Sequence, residues 1–313
     1  MTPRVVFLGT PAFAVPSLGA LAALDERGEI TLTGVVTQPD RAGDRGRVEP
    51  SPVKRRAQEL GVTVLQPVLM NADATEPILA LRPDALVWAA YGSLIPRALI
   101  DAVNGRAVNV HASLLPRWRG ASPVAHAILA GDRETGITLM QATASLDRGP
   151  VIDRARVPLV GTETAGELTE ELAQVGAGLL AISLPRYLVG AQVPVPQEES
   201  LATWAPKLTT KDGELRFAEP AEALERRIRA MTPDPGAWTT FRGQRLGIVR
   251  ASVAGGRGTE HGRLALREGV PHVAAGAGWL RLDEVKPAGK RAMTGADWAR
   301  GLRDLHAEAR LPS

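Results

Sequence analysis

The 313 residues, 44% hydrophobic and 23% charged, exceed what one hydrophobic core usually organises and suggest two domains of a soluble, globular, enzyme-sized protein. With no cysteine and five scattered histidines, disulfides and thiolate metal sites are excluded and no metal is expected; no apolar run reaches the ~20 residues of a membrane span. The net charge of +3 is uneven, 18 basic against 21 acidic groups in residues 1–206 and 19 against 13 in 207–313, so balances of −3 and +6 point to a polyanionic partner for the basic lobe, or simply to soluble surface charge.

The chain enters a strand at Val5–Leu8 without the two regions of a secretory signal, so a cytoplasmic location is expected. Gly9-Thr10-Pro11 stands where nucleotide loops stand but lacks both G-x-G-x-x-G and a Gly-Lys-Ser/Thr ending, so no dinucleotide or ATP is expected there. Phe13 and Val15 should instead pack the start of a helix. Further runs at 32–36, 62–65, 85–90, 107–110 and 137–140 alternate with helical patterns, which predicts a Rossmann-like, mostly parallel sheet with helices on both faces. Between Thr37 and Arg56 the chain is too long and too rich in Gly, Pro and Arg for a tight turn. A mobile basic loop is expected there, in which Arg41, Arg45 and Arg47 meet phosphates or stacked bases, or else are merely solvated.

Asn109-Val110-His111-Ala112-Ser113-Leu114-Leu115-Pro116 carries the sharpest signal. Residues two apart on a strand share a face, so Asn109 and His111 project together before Pro116 ends the strand. Open α/β sheets place their ligand crevice at such carboxyl ends. An amide can donate to a developing oxyanion and an imidazole can move a proton, although the same pair could simply cap a strand end. Asp147, in a turn-like Ser-Leu-Asp-Arg-Gly-Pro after the next strand, would sit beside the imidazole if the two strand ends are neighbours; it could equally serve the turn.

A helix is predicted over 161–188, opened by Thr164 and Glu167 at capping-box spacing. The Gln-Val-Pro-Val-Pro-Gln composition of 190–206 predicts an extended, semi-rigid linker. Ala221, Leu224, Ile228 and Met231 then mark one helix whose Glu225, Arg226, Arg227 and Arg229 face away. Runs at 245–254, 261–266, 270–273 and 279–285 are spaced like the strands of a small OB-like barrel. Lys207, Lys286, Lys290 and Arg291 punctuate this part, as salt-sensitive phosphate contacts or as solubility charge.

Gly9-Thr10-Pro11-Ala12-Phe13-Ala14, Ala90-Tyr91-Gly92, Asn109 to Gly120 and Leu146-Asp147-Arg148-Gly149 together resemble the folate-dependent formyltransferases. Trp204 to Thr209 and Lys286 to Met293 resemble the bacterial branch that formylates methionyl-tRNA, and the similarity covers nearly the whole length. The resemblance implies a catalytic domain over 1–189, a linker over 190–206 and a tRNA-binding OB-like domain over 207–313. It implies Asn109, His111 and Asp147 as the catalytic trio, with Tyr91, Gly92 and Ser113, Leu114, Leu115 and Pro116 bordering the folate. It further implies 10-formyltetrahydrofolate as formyl donor, no metal, and initiator methionyl-tRNA as acceptor, reached by the 37–56 loop. Asp44 and Val48 depart from the family's loop wording, which leaves the register of Arg45 and Arg47 open, and Arg148 stands where Thr is common. Another folate formyltransferase, a 10-formyltetrahydrofolate hydrolase and a non-catalytic tRNA-binding protein are the competing readings. Nothing in the sequence requires more than a monomer.

Overall fold

The strands of the amino-terminal unit are β1 (Arg4–Gly9), β2 (Thr31–Val36), β3 (Arg41–Ala42), β4 (Val48–Glu49), β5 (Val64–Leu65), β6 (Ala85–Ala89), β7 (Ala107–His111), β8 (Arg119–Gly120), β9 (Glu134–Gln141) and β10 (Val151–Pro158), of which β1, β2, β6 and β7 are largely apolar runs. Between and after them run α1 (Val15–Glu26), α2 (Pro52–Glu59), α3 (Ala72–Ala80), α4 (Arg97–Ala102), α5 (Pro123–Ala130) and α6 (Ala165–Leu188). The computed structural model describes residues 2–42, 48–143, 145–256, 260–302 and 310–311.

Seven strands form one sheet in the order β10-β9-β7-β6-β1-β2-β5. β1 pairs in parallel with β2 and β6, β2 with β5 and β6 with β7. Val5, Val6, Phe7 and Leu8 are all wholly buried, as expected of a parallel strand covered on both faces. The chain leaves β1 for β2 on one side and returns for β6 on the other. The carboxyl ends of β1 and β6 are thus the point at which the strand order reverses, where open α/β sheets place their ligand crevice.

β9 breaks the parallel pattern. It runs antiparallel to β7, with Gln141 opposite Val108 and Thr138 opposite His111, and β10 runs antiparallel to β9. The carboxyl end of β9 thus lies at the beginning of β7, and neighbouring strand ends cannot be what brings Asp147 to His111. The connection 142–150 must fold back, and Gly149 permits it. A Cβ there would meet the Gln141 carbonyl oxygen at 1.6 Å; without one, Gln141 N donates to Pro150 O at 2.8 Å.

The chain divides into two compact units. The first comprises residues 1–123, 134–158 and 169–205; the second takes 124–133, 159–168 and 206–313. The 190–206 stretch is not a free connector. β11 (Trp204–Ala205) adds to β8 as a parallel strand, and Val195 bridges Val151. The prolines keep it extended, and an extended chain beside an unpaired edge completes its hydrogen bonds there.

The second unit is built on α7 (Ala221–Met231), β12 (Ala237–Phe241), β13 (Gln244–Ala254), β14 (Leu264–Arg267), β15 (Val270–Ala274), β16 (Trp279–Pro287), β17 (Met293–Thr294) and α8 (Gly295–Arg300). The strands form one antiparallel sheet. Leu224, Ile228 and Met231 of α7 join Leu246, Ile248, Val273, Leu280, Leu282 and Trp298 in its core. The charged face of α7 is half-buried rather than solvated: Arg229 Nε donates to Glu225 at 2.5 Å and Arg227 to Glu219 at 2.7 and 2.9 Å.

Candidate active site

Asn109 is half-buried and His111 buried at the carboxyl end of β7. Both face one oxygen, Oδ1 of Asp147: Asn109 Nδ2 lies 3.5 Å away and His111 Nδ1 3.8 Å. His111 Nε2 lies 3.0 Å from the Trp118 carbonyl. Each ring nitrogen therefore faces an oxygen, the Asp147 carboxylate on one side and the Trp118 carbonyl on the other. Contacts of this length are compatible with an active site, whose hydrogen bonds are often long before substrate arrives and tighten in the complex.

Asp147 is buried, with φ of +52°. For a non-glycine residue that conformation costs of order 1–3 kcal/mol and persists only where neighbours enforce it. Gly120 N donates to its Oδ2 at 2.8 Å, and Gln197 Nε2 donates to its carbonyl at 2.9 Å and to that of Gly149 at 2.7 Å. Ala90 and Trp118, at φ +44° and +61°, share the left-handed conformation in the neighbouring loops. Gly120 is where only glycine fits: its φ is +118°, and a Cβ would stand 2.7 Å from the Ala205 carbonyl oxygen.

Behind this turn lies Arg119, wholly buried. Its Nε and Nη2 donate to Gln197 Oε1 at 3.2 and 2.8 Å, and its Nη1 and Nη2 to the Glu199 carboxylate at 2.9 and 2.8 Å. The hydrogen bonds from Arg119 hold Glu199 below the usual carboxylate range, and the charges of Arg119 and Arg148 act in the same direction. Sequence reasoning missed Gln197 and Glu199. Nothing local marks them, because their partner lies 78 and 80 positions away.

Ser113 is buried, and its hydroxyl donates to Arg117 O at 2.6 Å, so it serves the turn. Thr138, also unforeseen, clamps that turn from β9: its hydroxyl donates to Ser113 O at 2.7 Å and accepts from Leu115 N at 3.0 Å. Leu115 is buried, while Leu114 and Pro116 are half-buried. The Tyr91 ring sits in the core with Leu8, Ile78 and Leu99, and burial pushes its phenol up. Its carbonyl accepts from Thr10 Oγ1 and Gln38 Nε2, both at 3.1 Å, and Gly92 follows at φ +86°.

The basic candidates are scattered. Arg41 lies on β3, which pairs with β4 and closes the base of the 37–56 loop; Arg45 and Arg47 lie outside the described residues. Lys54 pairs with Asp40 at 2.5 Å at the mouth of that loop, the main cause of a lowered carboxyl there. Lys207, Lys286, Lys290 and Arg291 are exposed. Lys290 lines a cavity of about 360 Å³ with Arg242, Arg245, Phe241 and Trp298. Among the described residues no cluster of His, Cys, Asp and Glu suits a metal, and no helix is long and apolar enough to cross a membrane.

Residues 3–183 match the formyl transferase family and residues 207–303 the formyl transferase C-terminal domain. Methionyl-tRNA formyltransferase of Halorhodospira halophila is 45% identical over 97% of each chain. That of Roseiflexus sp. is 46% identical over 97% of this chain and 94% of its own. The chain belongs to the methionyl-tRNA formyltransferase family. It is thus one of the folate-dependent formyltransferases, which are enzymes. The methionyl-tRNA formyltransferase from Clostridium thermocellum shares its fold, with a TM-score of 0.55 at 18% identity over 82% of this chain and 95% of that one.

Proposed function

We propose that the chain transfers the formyl group of 10-formyltetrahydrofolate to the free amino group of initiator methionyl-tRNA, with Asn109, His111 and Asp147 as its catalytic residues. The convergence of that amide, imidazole and carboxylate at the end of β7, in a member of this family, carries the reading. The folate supplies an activated formyl carbon, which the amine attacks directly. Asn109 Nδ2 and the His111 imidazolium donate to the oxyanion that develops, where preorganised donors act most strongly. Asp147 holds His111 and relays the proton lost by the amine towards the departing folate nitrogen. No covalent enzyme intermediate is needed, and the Ser113 hydroxyl, bound to Arg117 O, is not poised as a nucleophile.

Ser113 to Pro116, with Tyr91 and Gly92, would border the folate. The half-buried Leu114 and Pro116 offer apolar contact, while the Tyr91 ring, packed in the core, supports the wall from behind. The tRNA is held by Arg41, Arg45 and Arg47 and by Lys207, Lys286, Lys290 and Arg291. Residues 207–313 form the tRNA-binding domain, 1–189 the catalytic domain and 190–206 the link between them, in a cytoplasmic monomer. The excess of 19 basic over 13 acidic groups in 207–313 supports a polyanionic acceptor; a nucleotide precursor, a sugar nucleotide or water would leave that excess without a role.

The test is formyl transfer from 10-formyltetrahydrofolate to methionyl-tRNA beside uncharged tRNA, free methionine and small amines. Transfer to methionyl-tRNA alone is expected. Folded protein that leaves methionyl-tRNA unformylated, or hydrolyses the donor equally without it, would refute the reading.

A further inference from the structure

Arg119 is the largest fully buried side chain among the described residues. A buried cation left unpaired is costly, and among the described residues its pairing comes from the segment whose composition marks a linker: the guanidinium binds Gln197 Oε1 and the Glu199 carboxylate. Because a guanidinium only donates, it decides which way the Gln197 amide points. The amide oxygen turns to Arg119, and the NH2 is driven to the opposite side. There it donates to the carbonyls of Asp147 and Gly149, at 2.9 and 2.7 Å. Every polar atom of that side chain is engaged, and the two carbonyls it holds are that of the left-handed Asp147 and that of the residue two further along the same turn.

The segment is also pinned at both ends of this contact. Val195 N donates to Val151 O at 2.8 Å, Arg119 N donates to Thr203 O at 2.9 Å, and Trp118 N donates to Thr203 Oγ1 at 2.9 Å. Gln197 is therefore presented by a strapped chain, not by a wandering one.

We propose that Gln197, oriented by Arg119, is a positioning residue for formyl transfer: it holds the Asp147 turn in the one conformation that aims the carboxylate at His111 and Asn109. The inference rests on the role given to Asp147 above. It places a determinant of the chemical step in a segment that reaches the catalytic turn only through the carbonyls of Asp147 and Gly149 among the described contacts of Gln197. A positioning contact of this kind acts on turnover rather than on substrate binding, and a shift of about 1 Å in a catalytic group can cost ~10²-fold in rate.

Gln197→Met keeps the length and removes both polar ends. Its kcat should fall roughly 10- to 100-fold, with the KM for methionyl-tRNA and for the folate within about twofold of the parent. Glu198→Gln, at an exposed neighbour whose carboxylate accepts from the Ser200 hydroxyl, should leave kcat unchanged. A folded Gln197→Met enzyme with parental kcat, or one whose loss lies in KM alone, would overturn the proposal. If Gln197→Met does not fold, Gln197→Asn serves in its place: the shortened amide should lower kcat, and parental kcat would count against the proposal equally. Asp147→Asn, assayed in parallel, separates the two levels. An inactive Asp147→Asn with a fully active Gln197→Met refutes the positioning role only; a fully active Asp147→Asn refutes both.

Discussion

Asn109 and His111 were legible as a pair because strand alternation is a strict rule, and the structure has both facing Asp147 Oδ1. Asp147 itself was legible only through the resemblance. The reasoning from adjacent strand ends fails, since β9 is antiparallel to β7 and the loop must double back over Gly149. Replacing Asn109 by Ala should lower kcat by ~10²–10³, about 3–4 kcal/mol of barrier, with the far-ultraviolet circular dichroism and thermal midpoint close to the parent's. His111→Ala should bring steady-state turnover close to background, leaving only a slow residual rate visible in a single turnover, yet bind methionyl-tRNA with parental affinity in a filter-binding measurement. Gly120→Ala is a different case, because a Cβ has neither an allowed φ nor room beside Ala205. It should lower the thermal midpoint by the equivalent of ~2 kcal/mol or more, which differential scanning calorimetry would read.

At the scale of elements, six of the seven strands of the first sheet were readable from their Val, Ile and Leu content, as was α6 from Thr164 and Glu167; β10 was not, because Asp153, Arg154 and Arg156 interrupt its apolar residues. The capping box forms as the spacing requires: Glu167 N donates to Thr164 Oγ1 at 3.2 Å, and Glu167 Oε2 accepts from Thr164 N at 2.9 Å. The Thr164 backbone and hydroxyl bonds hold Glu167 below the usual carboxylate range, with Arg250 contributing. A depressed carboxyl stabilises the fold fully above the unfolded value, ~4.3 for Glu. That contribution disappears as pH falls through the depressed folded value. The gap in thermal midpoint between the parent and Glu167→Ala should therefore be widest near pH 7 and shrink below about pH 4. A gap that grows on acidification would contradict the assignment. The path of 190–206 was not legible, because composition reports that a chain is extended but not which edge it completes. Its partners, Arg119 and Gly120, belong to a motif far upstream.

At the scale of the molecule, the charge asymmetry between 1–206 and 207–313 was plain in the sequence, whereas the division of the chain was not. Residues 124–133 and 159–168 group with the carboxyl-terminal unit. Gly166 N donates to Thr232 O at 3.0 Å, and Arg229 Nη1 donates to Glu163 O at 3.0 Å. Removing residues 207–313 would therefore strip contacts from α6 as well as any tRNA surface, and single charge removals are the cleaner probe. Lys290→Ala should weaken tRNA binding evenly across sequences and reduce the slope of log affinity against log salt by about 1, with folate affinity untouched. The central claim is that amide, imidazole and carboxylate act as one catalytic unit on the amine of methionyl-tRNA. Single-turnover formyl transfer with saturating donor and methionyl-tRNA tests it most directly, comparing the parent with Asn109→Ala, His111→Ala and the double variant. Residues that act as a unit give losses far from additive, so the double variant should be scarcely slower than His111→Ala alone. A double variant slower by the full product of the two single losses, or a His111→Ala enzyme that turns over at the parental rate, would contradict it.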